Sequence, residues 1–207
     1  GDHRDLHSFP TRRSSDLTRT ARRITADDNH NGFYASVVGG SGVASSLHYF
    51  PLTFNMWAKI DPSTASGVGS TVASLTHPNY WGPPASFGYF YNGYLYYGFN
   101  SAAFGSVAET PDNAWHMWTF VAKENGTLKV YKDTVLLSST TLSAAQMVDF
   151  DKFALGRSWY QGSLNPSDHT VASFAMVGLW QQDVAPADLW NGGVGFLYSE
   201  LPANLKL

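Results

Sequence analysis

Residues 80 to 99 concentrate the side chains best suited to holding a sugar: Tyr80, Trp81, Phe87, Tyr89, Phe90, Tyr91, Tyr94, Tyr96, Tyr97 and Phe99, with Leu95 the one aliphatic member of the run. Pyranose rings present C–H patches that stack on aromatic faces, and a tyrosine hydroxyl adds a polar handle that orients the ring. The expected loop at residues 156–169 is a second source of the same chemistry. It carries Trp159 and Tyr160, with Gln161, Asn165, Asp168 and His169 nearby as hydrogen-bonding partners. Candidate glycan-binding residues are therefore Trp81, Tyr89, Tyr91, Tyr94, Tyr96, Trp159, Tyr160, Asn165 and Asp168. A packing role competes with this reading for each aromatic residue, because cross-strand aromatic pairs also stabilise sheets.

Other chemistries find less support. Asp27-Asp28-Asn29-His30-Asn31 offers the hard oxygen ligands that Ca²⁺ takes, so Asp27 and Asp28 are the candidate calcium ligands; a solvated polar turn has the same composition. Retaining glycoside hydrolysis needs two carboxylates about 5 Å apart. The glutamates are Glu109, Glu124 and Glu200, and no Glu-x-Asp-x-x-Glu strand is present. His116 lies in the apolar run Trp115–Ala122, where a satisfied core histidine is expected rather than a catalyst. No Gly-x-Ser-x-Gly nucleophile elbow occurs.

The elements that must position these residues are strands. Leu52, Phe54, Met56 and Ala58 alternate with Thr53, Asn55 and Trp57, the period-2 signature of a half-buried strand. His116, Trp118, Phe120 and Ala122 alternate with Met117, Thr119, Val121 and Lys123. Both of those faces are largely apolar, which predicts a central strand covered on two sides. Asn92-Gly93 and Asn125-Gly126 predict type I′ hairpin turns, which need positive φ at both central residues. With a turn at Asn92-Gly93, Tyr89 and Tyr91 share one face of their strand, and Tyr94 and Tyr96 one face of the next. Helical signal is confined to 144–148 and 186–190. The predicted fold is all-β, an antiparallel β-sandwich with minimal helix.

Five segments carry a family likeness. Pro51–Lys59, Trp115–Val121, Asn125–Asp133, Phe153–Arg157 and Phe174–Trp180, followed by the turn Pro186-Ala-Asp-Leu-Trp-Asn-Gly-Gly193, resemble in order and spacing the laminin-G-like branch of the concanavalin A-like lectin/glucanase superfamily. The resemblance runs from roughly Phe33 to Leu201 and implies a jelly-roll sandwich. The chain departs from the family pattern at Thr134, where Asp-Gly or Asn-Gly is usual, so a different turn is expected there. It departs again at Ala175, where several calcium-binding relatives carry Asp, which weakens the case for a family-type calcium site. Laminin-G-like domains bind sugars, proteins or sterols, or act as spacers.

Residues 1–17, GDHRDLHSFPTRRSSDL, read as a translated frame of a short-read sequencing adapter. They are set apart as non-native, so His3, His7, Arg12 and Arg13 form no metal or basic site. Little packing of this segment against the domain is expected. Residues 18–207 then form a single domain whose upstream sequence, including any signal or further domain, is expected to be missing.

A net charge of −3 with 14% charged residues lacks the basic footprint of nucleic-acid binders. No apolar run is long enough to span a bilayer as a helix. Zero cysteines exclude disulfides and thiolate sites. The expected function is a non-catalytic carbohydrate-binding or adhesion module of a larger extracellular, cell-surface or virion-associated protein. Its expected partners are a polysaccharide or glycan and other domains of the parent chain, with Ca²⁺ the one candidate cofactor. A structural or protein-interaction spacer is the alternative, and a glycan-active hydrolase or lyase a third. Solvent exposure of Tyr89, Tyr91, Tyr94, Tyr96 or Trp159 separates the first two.

Overall fold

The computed structural model describes residues 22–24, 33–36, 51–65, 70–76, 85–98, 104–142, 152–160, 163–180, 182–195 and 200. Residues 1–17, Asp27, Asp28, Trp81 and the helical signal at 144–148 lie outside the described residues. In chain order the strands are β1 (Arg22–Ile24), β2 (Phe33–Ser36), β3 (Leu52–Ile60), β4 (Ser70–Thr71), β5 (Ala73–Thr76), β6 (Ala85–Tyr91), β7 (Tyr94–Gly98), β8 (Phe104–Ala108), β9 (Trp115–Ala122), β10 (Thr127–Lys132), β11 (Val135–Thr141), β12 (Lys152–Leu155), β13 (Arg157–Tyr160), β14 (Ser163–His169) and β15 (Ala172–Trp180). Helix α1 (Pro186–Trp190) follows.

Two antiparallel sheets form the sandwich. Sheet one has the order β1-β15-β3-β9-β10-β11, and sheet two β2-β12-β5-β6-β7-β8 with β4 also paired to β6. Strands β13 and β14 make a separate hairpin. The core lies between the sheets, where Leu52, Phe54, Met56, Trp118, Phe120, Leu128 and Val130 of sheet one meet Phe87, Phe90, Leu95, Tyr97 and Leu155 of sheet two. Phe54 packs on Phe87 with centroids 5.1 Å apart, and Phe87 meets Phe120 edge-on at 5.3 Å. Each such ring contributes about 1.5–3 kcal/mol by leaving water.

Strand β9 is central, and both its faces are buried from Met117 to Ala122. What covers the outer face is the segment after β15. Thr53 Oγ1 donates to the Gln182 carbonyl at 2.7 Å and accepts from the Val184 N–H at 3.0 Å, so one buried hydroxyl fastens the segment to β3. Val184 and Leu189 then pack with Trp57, Met117 and Ala175, and Trp190 stacks on Trp57 at 5.4 Å. Gly195, at φ +65, lets the chain cross this cluster, since a Cβ there would lie 2.7 Å from Trp57 Nε1. Helix α1 starts with Pro186 in its first turn and ends at Asn191 in the left-handed region, the arrangement that terminates helices.

The turns differ from expectation in two places. Asn92-Gly93 has φ of 49° and 78°, as a type I′ turn requires. At Asn125-Gly126 Gly126 alone of the pair has positive φ, and its N–H donates to the Lys123 carbonyl. That is a type I turn closed by a left-handed glycine, the longer hairpin connection. Conversely Asp133-Thr134 keeps positive φ at both residues, 50° and 73°, despite the threonine. The left-handed region is unfavourable for a β-branched residue, so external contacts must hold this turn.

Candidate functional site

Strands β6 and β7 set the geometry of the aromatic run. A register shift falls between Phe87 and Tyr89, at Gly88 with φ +93. It changes the alternation so that Phe87 and Phe90 both turn into the core while Tyr89 and Tyr91 point outward. A side chain at Gly88 would be strained in backbone, while its Cβ would meet Val72 Cβ at 3.4 Å, an ordinary contact distance. Across the hairpin Tyr89 pairs with Tyr96 and Tyr91 with Tyr94. Four tyrosines therefore occupy adjacent positions on the outer face of sheet two.

Their rings form one patch. Tyr89 and Tyr91 lie nearly parallel with centroids 6.3 Å apart, Tyr89 meets Tyr96 edge-on at 6.0 Å, and Tyr94 and Tyr96 are 6.3 Å apart. Tyr91 is 38% exposed and Tyr94 46%. Tyr89 and Tyr96, beside them on the same face, are half-buried. On the neighbouring strand Ser106 stands opposite Tyr96 and Ala108 opposite Tyr94, both exposed, so small residues continue the face across β8. Tyr97 belongs to the other side: its ring covers Gly105 in the core and its hydroxyl donates to Ser138 Oγ at 2.7 Å. The aromatic run thus divides between packing and display, residue by residue.

Residues 157–160 and 163–169, expected from the sequence to belong to a loop, instead pair as strands β13 and β14. Trp159 stands opposite Leu164 and Tyr160 opposite Ser163, and Asn165 and Asp168 lie along β14. The hairpin is anchored beside the tyrosine strand. Gly156 N–H donates to the Val72 carbonyl at 2.7 Å, and Thr170 Oγ1 donates to the carbonyl of Thr71, the residue opposite Tyr89. The backbone thus places this hairpin at the margin of the face that Tyr89 begins.

A charged cluster at one end of the sandwich was missed by sequence reasoning. His116 bonds to Asp133 through Nδ1 and to Asp112 through Nε2 at 3.0 Å, while Lys132 Nζ pairs with Glu109 at 2.7 Å and lies 5.4 Å from the Trp118 ring. The bond to Asp133 raises the His116 pKa, burial opposes it, and the bond to Asp112 reinforces it. Burial pushes the Asp112 carboxyl up, but the Ala114 N–H and His116 outweigh it and hold the group below its ordinary value. Asp133 also accepts the Met117 N–H through Oδ1 at 2.9 Å, and its own N–H donates to the Met117 carbonyl. These contacts hold the strained Asp133-Thr134 turn against β9. The expected core histidine is thus satisfied, but by carboxylates at the sandwich edge and half-exposed. The signal available in the sequence was the Asp112-to-His116 spacing, and Asp133 is seventeen residues away from His116 in sequence.

No protein-family model matches the chain, and no curated protein matches it in sequence. Solved structures do resemble it. The binding domain of botulinum neurotoxin DC in complex with rat synaptotagmin II superposes with a TM-score of 0.56 at 12% identity, over 76% of this chain and 38% of that one. The serotype C1 binding domain gives 0.52 at 14% identity, over 70% and 36%. A type C neurotoxin structure, described as dependent upon interaction with two ganglioside molecules for reaching the cell interior, gives 0.56 at 13% identity, over 76% and 38%. The likeness is one of fold. The chain spans about two fifths of the length of these solved chains.

Proposed function

We propose that this chain is a non-catalytic carbohydrate-binding module in which the outer face of β6 and β7 is the sugar platform. The observation that carries the reading is the exposure of Tyr91 and Tyr94 beside half-buried Tyr89 and Tyr96 on one sheet face. Exposed tyrosines in a fixed array combine stacking area with hydroxyl donors and acceptors. A spacer without a ligand has no need of such an array. In this proposal Trp159, Tyr160, Asn165 and Asp168 of the β13–β14 hairpin, together with Trp81, are further sugar contacts. Asp27 and Asp28 remain the proposed calcium ligands.

The laminin-G-like assignment, a non-native segment at 1–17, an extracellular, cell-surface or virion setting and a longer parent chain belong to the same proposal. The fold supports its general class, since two neighbours of similar architecture are described as binding domains and a third as a neurotoxin dependent upon interaction with two ganglioside molecules. Among the described residues no helix is long and apolar enough to cross a membrane. The test is retention of the full chain on immobilised polysaccharides, with and without Ca²⁺, beside Tyr94→Ala and Trp159→Ala variants of unchanged fold. Retention lost in Tyr94→Ala supports the platform. Absence of retention on every glycan favours the spacer reading.

A further inference from the structure

The platform lies in a part of the chain with an unusual charge pattern. From Pro62 to Ala108 the sequence contains no Asp, Glu, Lys or Arg, and His77 is its single ionisable group near neutral pH. That stretch supplies β4, β5, β6, β7 and β8, five of the seven strands of sheet two. The ion pairs among the described residues lie outside these strands, Lys132 with Glu109 and His116 with Asp112 and Asp133 at the sandwich end, and Lys123 with Asp183 on the sheet-one side at 2.7 Å, while Arg157 and Asp168 belong to the β13–β14 hairpin. The tyrosine face offers rings, phenolic hydroxyls and the Ser106 hydroxyl, with no formal charge on the strands that bear it.

From this we infer that the ligand of the tyrosine face is a neutral glycan, one whose sugars carry hydroxyls and no carboxylate or sulfate. The inference rests on the carbohydrate-binding reading above and narrows its substrate class. An anionic sugar is held tightly when Arg or Lys makes charge-assisted bonds to its acid group. On β6, β7 and β8 such a group is desolvated against rings with no cation to compensate, which costs free energy. The net charge of −3 adds a weak long-range repulsion of polyanions. A neutral sugar meets neither penalty, and its C–H face and hydroxyls match the rings and phenols. Because no ion pair forms, binding is insensitive to salt.

Affinity electrophoresis of the full chain tests this, with gels containing galactomannan, mixed-linkage β-glucan or dextran set against polygalacturonate, chondroitin sulfate and polysialic acid, each at low and high salt. Retardation by at least one neutral polymer and by none of the anionic ones, unchanged by salt, is expected. Tyr94→Ala should weaken that retardation about tenfold, the value of a lost stacking contact, with its thermal unfolding unchanged. Retardation confined to anionic polymers and abolished by salt overturns the inference and leaves the carbohydrate-binding reading standing. Retardation by neutral polymers that Tyr94→Ala and Tyr91→Ala both leave intact overturns the assignment to this face. No retardation by any polymer overturns the inference together with the reading beneath it.

Discussion

The two outer faces of the sandwich are both rich in aromatic residues, yet among the described residues one is covered and the other open. On sheet one Trp57 is 3% exposed, because Thr53 fastens the Gln182–Val184 segment across it and Trp190 stacks on its ring. On sheet two Tyr91 and Tyr94 stand in solvent, and the residues opposite Tyr94 and Tyr96 on β8 are only Ala108 and Ser106. Residue type follows the difference. Tryptophan, methionine and alanine sit under the cover, whereas the open face uses tyrosine, whose hydroxyl tolerates water. Aromatic content alone therefore does not distinguish the two faces; among the described residues the covering segment does.

The comparison can be broken most forcefully at the covered face. Trp57→Ala removes the ring on which Trp190 stacks and is expected to cost about 3–5 kcal/mol, read as a lower midpoint in denaturant unfolding. A loss below about 1 kcal/mol would mean that the cover contributes little to the fold, since large values come from buried rings of this kind.

Between the two faces lies the charged end, which sharpens the comparison through pH. His116 has its pKa raised by Asp133 and Asp112, so its stabilising contribution is complete below the ordinary histidine value near 6.5 and disappears as pH rises through the higher folded value. Asp112, lowered, contributes above its unfolded value and loses that contribution as pH falls through the folded one. Thermal unfolding should therefore show a stability maximum in mildly acidic solution. In His116→Gln the decline from that maximum toward alkaline pH should flatten. A decline of equal size in the variant would remove His116 from the account.

A smaller effect is expected at the turn this cluster holds. Thr134→Gly relieves positive φ at a β-branched residue and should raise stability by about 0.5–1 kcal/mol, the strain relieved less the added freedom of the unfolded glycine. Calorimetry of the two proteins decides it, and a destabilised variant would show that the threonine is not strained. Smallest of all is Tyr94→Ala, expected to stay within about 0.5 kcal/mol of the parent, as exposed positions do.

Much of this was legible in the sequence where a signal was local. Alternation in Trp115–Ala122 marked a central strand, Asn92-Gly93 marked its turn, and Pro186–Trp190 its helix. Leu52–Ala58, by contrast, read as a half-buried strand and is buried on both faces, because the segment after β15 covers Thr53 and Trp57. Sharing of a face by Tyr89 with Tyr91, and by Tyr94 with Tyr96, followed from period two. What remained hidden depended on contacts distant in sequence. The Gly88 bulge, which separates Phe87 from Tyr89, reflects contact with Val72. The left-handed Asp133-Thr134 turn depends on the Met117 backbone and His116. Residues 157–169 read as a loop because polar residues fill them, and pairing between β13 and β14 carries no hydrophobic alternation that would have announced it.

The claim at the centre of this account is that the open tyrosine face binds glycan while taking no part in stability. Affinity electrophoresis of the parent and of the Tyr91→Ala/Tyr94→Ala double variant in a galactomannan, β-glucan or dextran gel, paired with their thermal unfolding, tests both halves together. The account predicts a retarded parent, a double variant that migrates as in a glycan-free gel, and coincident unfolding curves. Equal retardation of the two proteins, or a double variant that unfolds well below the parent, would contradict it.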